Sequence, residues 1–200
     1  MKTLTKVQND VGEKAKSNEK LGPDDWARGA LKLIAEDGLA ALSIPKLAKR
    51  LGVTKGSFYW HFDSLEALLN AALARWEQVY TDNRLDQFDA DKNETGLGLW
   101  SDEAEVDHVS QSLYLEISNA AATREQFAKV VARVVDKRIG YIKKTLLKQG
   151  LSAPLAQRRA VIIYSGYVGL LHLVKVAPAS VGNGAERQEI VREAVNALTR

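Results

Sequence analysis

Apolar residues recur at helical spacing along most of the chain. Trp26, Ala30, Leu33 and Ile34 form one stripe, Leu47, Ala48 and Leu51 a second, and Leu65, Leu68, Leu69, Ala72, Leu73, Trp76 and Tyr80 a third that holds for about four turns. Farther on, Phe127, Val130, Val131, Val134, Val135, Ile142 and Leu146 repeat over about twenty residues with charges on the opposite face. Valine pairs favour strands, but a strand is ordinarily finished in about six residues, so this segment is read as a long helix. Ile190, Val191, Ala194 and Leu198 align on a final amphipathic helix over Glu186–Leu198. The expected fold class is all-α, with no strand predicted anywhere.

Local punctuation agrees with that pattern. Pro23, followed by Asp24 and Asp25, opens the first helix, and Gly38 is expected to end it as a left-handed cap. Ser43 and Thr54 are placed as N-caps of two short helices, with Leu42 on Leu47 and Val53 on Phe58 as hydrophobic staples, and Gly52 between them as the turn. Ser64 caps a fourth helix. The stretch Asp86 to Asp102, rich in Asp, Asn and Gly, reads as a looser junction. A helix is expected from about Glu103 to Ala121, the long helix stops at Gly150, and another runs from Pro154 to about Ala177. Three layers of organisation follow: a polar arm over 1–22, a trihelical head over 23–70, and a helical body over 71–200.

The helix pair between Ser43 and Phe62 carries the chemistry. Phe58 and Phe62, four residues apart, share one helix face, while Gly56 and Trp60 fall nearly opposite. The pattern therefore buries one aromatic pair and leaves Tyr59 and Trp60 outward, where bare rings waste apolar area unless a partner covers them. Lys55 stands in the first turn, able to reach guanine O6 or N7 or a phosphate oxygen. Gly56 costs a helix about 1 kcal/mol relative to alanine, a cost that makes sense where backbone must approach a base edge or sugar. Ser57 can bond bases or phosphates; Thr54 and Ser43 can contact phosphate or cap their helices. The Tyr59 hydroxyl, the Trp60 indole N–H and His61 complete a set of candidate phosphate contacts.

Net charge is only +3, but it is unevenly spread. From Gly38 to Phe62 there is no acid, only Lys46, Lys49, Arg50 and Lys55, whereas from Asp63 to Ala128 acids outnumber Lys and Arg fourteen to four. A locally basic head is the electrostatic footprint of a polyanion-binding surface. With 46% hydrophobic and 26% charged residues the chain suits a globular protein. Cysteine is absent and the three histidines, His61, His108 and His172, are scattered, so neither a disulfide framework nor a metal site is expected. No cofactor is implied. The arm carries five lysines and no apolar core, unlike a signal peptide, so a cytoplasmic location is expected and the Asn93-Glu94-Thr95 sequon is irrelevant. The apolar run Ala160 to Val174 is shorter than the ~20 residues a bilayer requires and is read as a buried helix, with no membrane partner.

From Leu42 to Leu69 the chain reads Leu-Ser-Ile-Pro-Lys-Leu-Ala-Lys-Arg-Leu-Gly-Val-Thr-Lys-Gly-Ser-Phe-Tyr-Trp-His-Phe-Asp-Ser-Leu-Glu-Ala-Leu-Leu. This stretch resembles the head of the tetracycline-repressor-like (TetR) family of bacterial transcription regulators almost position by position, and Trp26 to Gly38 is similar to its first helix. The resemblance implies a helix-turn-helix DNA-binding head and a C-terminal ligand-binding and dimerisation domain. It further implies a homodimer with two heads in successive major grooves of an operator and a small-molecule effector in the body, together a transcriptional regulator of repressor type. One departure is Leu65, where the family often has a phosphate-touching lysine.

In the body, a ligand cavity needs aromatic walls with convergent polar groups, and the available stock is Trp100, His108, Tyr114, Phe127, Tyr141, Tyr164 and Tyr167. The acid cluster Asp102, Glu103, Glu105 and Asp107 suits a cationic effector or simply a helix start. Ser165, Gly166 and Gly169 place small residues close together on the apolar helix, which is most easily covered by its own copy across a two-fold axis. With Ile190, Val191, Ala194 and Leu198 of the last helix this gives a four-helix interface. No nucleophile and base, carboxylate pair or metal cluster is spaced for catalysis, so the chain is read as a non-enzyme. The alternative to DNA binding is a helical adaptor that grips a protein through Tyr59 and Trp60.

Overall fold

The computed structural model describes residues 21–90 and 108–199. Every regular element among them is helical: α1 (Pro23–Asp37), α2 (Ile44–Leu51), α3 (Lys55–Phe58), α4 (Leu65–Glu77), α5 (Asn83–Ala90), α6 (His108–Ala120), α7 (Glu125–Lys148), α8 (Ala153–Val176) and α9 (Gly184–Thr199). A π-helical segment, Gln78–Asp82, separates α4 from α5. The chain divides into two compact units between Arg75 and Trp76, described separately.

In the first unit α1 supplies the buried side chains Trp26, Ala30, Leu33 and Ile34, with Leu47 and Ala48 of α2, Phe58 of α3, Phe62, and Leu68, Leu69, Ala72 and Leu73 of α4. The edge of the Trp26 ring meets Phe58 at a centroid distance of 5.4 Å, and Phe58 stacks on Phe62 at 5.7 Å. Gly29 lets α1 lie close to α2: a Cβ there would stand 2.9 Å from a Leu51 methyl. Asp25 accepts the Gly22 N–H at 2.9 Å, satisfying an orphan donor at the start of α1. Arg75 ties α4 to Asp24 by an ion pair.

Several terminal details differ from the sequence reading. Gly38 has φ 83° but ψ 159°, so it leaves α1 through extended backbone of positive φ rather than through the left-handed cap; Gly52, at φ 71° and ψ 26°, is the left-handed one. Ser64 caps α4 through a 3.1 Å bond from the Ala67 N–H. Ser43 and Thr54 do not cap: each has the extended backbone of an N-cap, but neither side chain bonds its helix. The expected junction from Asp86 begins inside helix, since α5 continues to Ala90.

The second unit is built on α7 and α8, each 24 residues long and packed together. Phe127, Val130, Val134, Ile142 and Leu146 of α7 are buried, as are Ala156, Ala160, Ile163, Tyr164, Tyr167 and Leu171 of α8. Leu113, Tyr114 and Ile117 of α6 close this core, and α6 packs on both helices. Within the single chain, burial of α8 is one-sided. Val161, Ile162, Leu173 and Val176 are exposed, together with Ser165, Gly166 and Gly169, all on one stripe at 3- and 4-residue spacing. At 24 residues, α8 is also long and apolar enough to cross a membrane by length and composition alone.

Candidate nucleic-acid interface

The turn that delivers α3 is rigidly made. The Gly52 N–H donates to the Ala48 and Lys49 carbonyls, the Val53 N–H reaches Ala48 O at 3.0 Å, and the left-handed φ of Gly52 reverses the chain where a Cβ would be strained. α3 is a single turn followed by another in which the Phe58 carbonyl accepts from both the His61 N–H at 2.9 Å and the Phe62 N–H at 3.0 Å. Phe58 is completely buried and Phe62 nearly so, which forces the intervening side chains outward.

Tyr59 is 53% and Trp60 87% exposed, although the Tyr59 ring still meets the buried Phe58 ring edge-on at 5.2 Å. Thr54, Lys55 and Gly56 are exposed beside them, while Ser57, His61 and Ser43 are partly buried. A Cβ at Gly56 would approach only the Thr54 hydroxyl, at 3.7 Å, so nothing inside the head calls for glycine there. All eight sequence-chosen residues thus lie at α3 and its flanks or at the start of α2. The Ser43 and Thr54 hydroxyls, not being used as caps, are available to an outside acceptor.

The basic character of this surface is less than the linear charge count suggests. Lys46 is 3.0 Å from Asp37, and Arg50 pairs with both Glu36 and Asp37, the two acids at the end of α1. Lys49 and Lys55 have no ion pair among the described residues.

Residues 28–72 match the family model of bacterial regulatory proteins, tetR family. The head is thus similar to that of the tetR family. The tetracycline repressor protein class A from transposon 1721 of Escherichia coli is 48% identical over 52 residues, 26% of this chain and 24% of that repressor's length. The transcriptional regulator AcrR of Shigella flexneri is 25% identical over 177 residues, spanning 81% of this chain and 82% of AcrR. The crystal structure of a transcriptional regulator from Rhodococcus sp. Rha1 superposes with a TM-score of 0.75 at 19% identity, over 89% of this chain and 96% of that one. The head is therefore close in sequence to those relatives, and the chain shares the fold of the Rhodococcus structure at low identity.

In the body the structure gathers part of the aromatic stock. The Tyr114 and Tyr164 hydroxyls are 2.9 Å apart and buried, and Tyr164 packs beside Tyr167. Tyr141 pairs instead with Phe88, and Phe127 lies under the Arg124 guanidinium. Trp100, the acid cluster Asp102, Glu103, Glu105 and Asp107, and the side chain of His108 lie outside the described residues.

The sequence pattern did not single out Arg138. Its guanidinium is buried, lies 6.0 Å from the Tyr114 ring and 5.8 Å from the Tyr167 ring, and donates to the Tyr80 carbonyl at 2.7 Å. The readable signal was its place four residues after Val134 and four before Ile142, where a charge interrupts an apolar row. Gln111, buried and donating to the Leu171 carbonyl at 2.8 Å, is a second polar group in this core.

Proposed function

We propose that this protein is a sequence-specific operator-binding repressor that acts as a homodimer in the cytoplasm and is controlled by a small-molecule effector held in its body. The observation that carries the reading is the bare pair Tyr59 and Trp60 on a helix whose other face is buried, inside the segment that matches the tetR family. Lys55, Gly56 and Ser57 are the base-facing candidates. Tyr59, Trp60, His61, Thr54 and Ser43 are the phosphate-facing ones. Gly56 fits this reading because no neighbour within the head needs it.

The body's role rests on two features. Tyr114, Tyr164 and Tyr167 around Arg138 and Gln111 form an apolar core with convergent polar groups, the chemistry a small-molecule site requires. Trp100, His108, Phe127 and Tyr141 complete the proposed lining set. For assembly, α8 carries an uncovered stripe and packs on α9, where Ile190 and Ala194 are exposed and Val191 and Leu198 half-buried. A Cβ at Gly166 or Gly169 would meet nothing within 4 Å. Two mid-helix glycines costing about 1 kcal/mol each and serving no intramolecular contact favour close approach by a second copy.

The test is titration with the duplex that flanks the protein's own gene at two salt concentrations. A phosphate-gripping head loses affinity steeply as salt rises, and Lys55→Ala weakens specific binding by about 1–3 kcal/mol with the fold intact. Salt-independent binding, or none, favours the protein-binding adaptor instead. Unchanged affinity of the variant removes Lys55 from the reading surface.

A further inference from the structure

The four cations of the helix pair have separate employments. Lys46 and Arg50 are held by Asp37 and Glu36 at the end of α1, so their charge is largely spent inside the head. Lys49 is exposed on the same helix and has no ion pair among the described residues.

Helix geometry explains the division. At about 100° per residue, Arg50 lies about 40° from Lys46, on the side where Leu47 and Leu51 meet α1, whereas Lys49 lies about 60° to the other side of Lys46. The α1 side is fixed by Gly29, where a Cβ would stand within 3.4 Å of the Leu47 and Leu51 methyls. Lys49 therefore sits on the flank turned from the α1 acids. Its own carbonyl accepts the Gly52 N–H that starts the turn into α3, so its backbone is tied directly to the element bearing Lys55, Tyr59 and Trp60.

We propose that Lys49 is a phosphate contact of the head, additional to the residues of α3, and that Lys46 and Arg50 are internal braces rather than DNA cations. This rests on the DNA-binding reading above. A cation on this flank meets phosphate without any base edge to choose between, so Lys49 positions the head on the duplex and adds no sequence preference. The acids at the end of α1 meanwhile hold α2 at a fixed attitude and keep the head from presenting four free cations to any polyanion.

The experiment uses the full chain and a duplex enriched by the wild-type protein from a random-sequence pool. Affinity is measured over a series of KCl concentrations for wild type, Lys49→Ala, Lys49→Arg and Lys46→Ala, with thermal unfolding of each as a check on folding. Lys49→Ala should flatten the plot of log affinity against log salt by about 0.9 per head, leave the enriched sequence unchanged and weaken all duplexes alike. Lys49→Arg should keep the wild-type slope, and Lys46→Ala should too. A Lys49→Ala slope equal to wild type, or a Lys46→Ala loss as large as that of Lys49→Ala, overturns the assignment. A wild-type protein that enriches no duplex overturns the DNA-binding reading itself.

Discussion

Phe58 sets the orientation of every candidate contact on α3. It is fully buried between Trp26 and Phe62, and its neighbours Tyr59 and Trp60 are outward because it is inward. Truncation to alanine opens a cavity at the centre of the head, and Phe58→Ala is expected to lower stability by about 3–5 kcal/mol in denaturant unfolding of the whole chain. An unaltered unfolding midpoint would mean the face assignment is reversed. At this scale the aromatic faces were legible, because two phenylalanines four apart leave little choice of which side is inside. The charge balance was not. A count that starts at Gly38 stops one residue short of Asp37 and two short of Glu36, the acids that fold back onto Lys46 and Arg50. The hydroxyls of Ser43 and Thr54 were also misjudged as caps, since residue type permits that bond and only the rotamer decides it.

Among elements, the π segment Gln78–Asp82 was invisible in the sequence, which shows only apolar periodicity passing through Trp76 and Tyr80. No glycine or proline marks it; what accompanies it is tertiary. Glu77, buried, accepts three bonds from Arg133, two from Nε at 3.2 Å and one from Nη2 at 2.7 Å, and lies 2.9 Å from Lys137, which also holds Asp82 at 2.6 Å. Arg138 takes the Tyr80 carbonyl and Lys144 reaches Asp89 of α5 at 2.7 Å, so α7 grips the irregular turn and the helix that follows it. The Arg133 hydrogen bond, aided by Lys137 and opposed by burial, holds the Glu77 carboxyl below the usual glutamate range. A lowered folded-state value means stability that is complete above the ordinary glutamate pKa and lost as pH falls through the lowered one. Glu77→Gln is therefore expected to cost about 1.5–3 kcal/mol at neutral pH, and the difference from wild type should vanish in acid. Urea unfolding at neutral and acidic pH measures this, and an equal deficit at both would remove Glu77 from the acid response.

Over the whole molecule, the all-helical class and the order of long helices could be read from periodicity, since a twenty-residue amphipathic pattern such as that of α7 admits no other element. What the sequence could not supply was which side of α8 is covered. Apolar residues surround that helix almost entirely, so composition predicted burial everywhere, whereas the subunit covers only the side bearing Ile163, Tyr164 and Tyr167. If a second copy covers the rest, Ile162→Asp places an unpaired carboxylate in that interface. It should raise the dimer dissociation constant on the order of a hundredfold, read by light scattering as a shift from the mass of two chains to that of one. A dimer that withstands the change would place the two-fold axis elsewhere. The open side of α8 has one more consequence. If a second copy covers it, a subunit's stability is inseparable from the concentration of its twin, and each chain's survival against proteolysis and precipitation depends on how many others are present. Scarcity of the regulator then deepens itself, because the last few copies are the least protected.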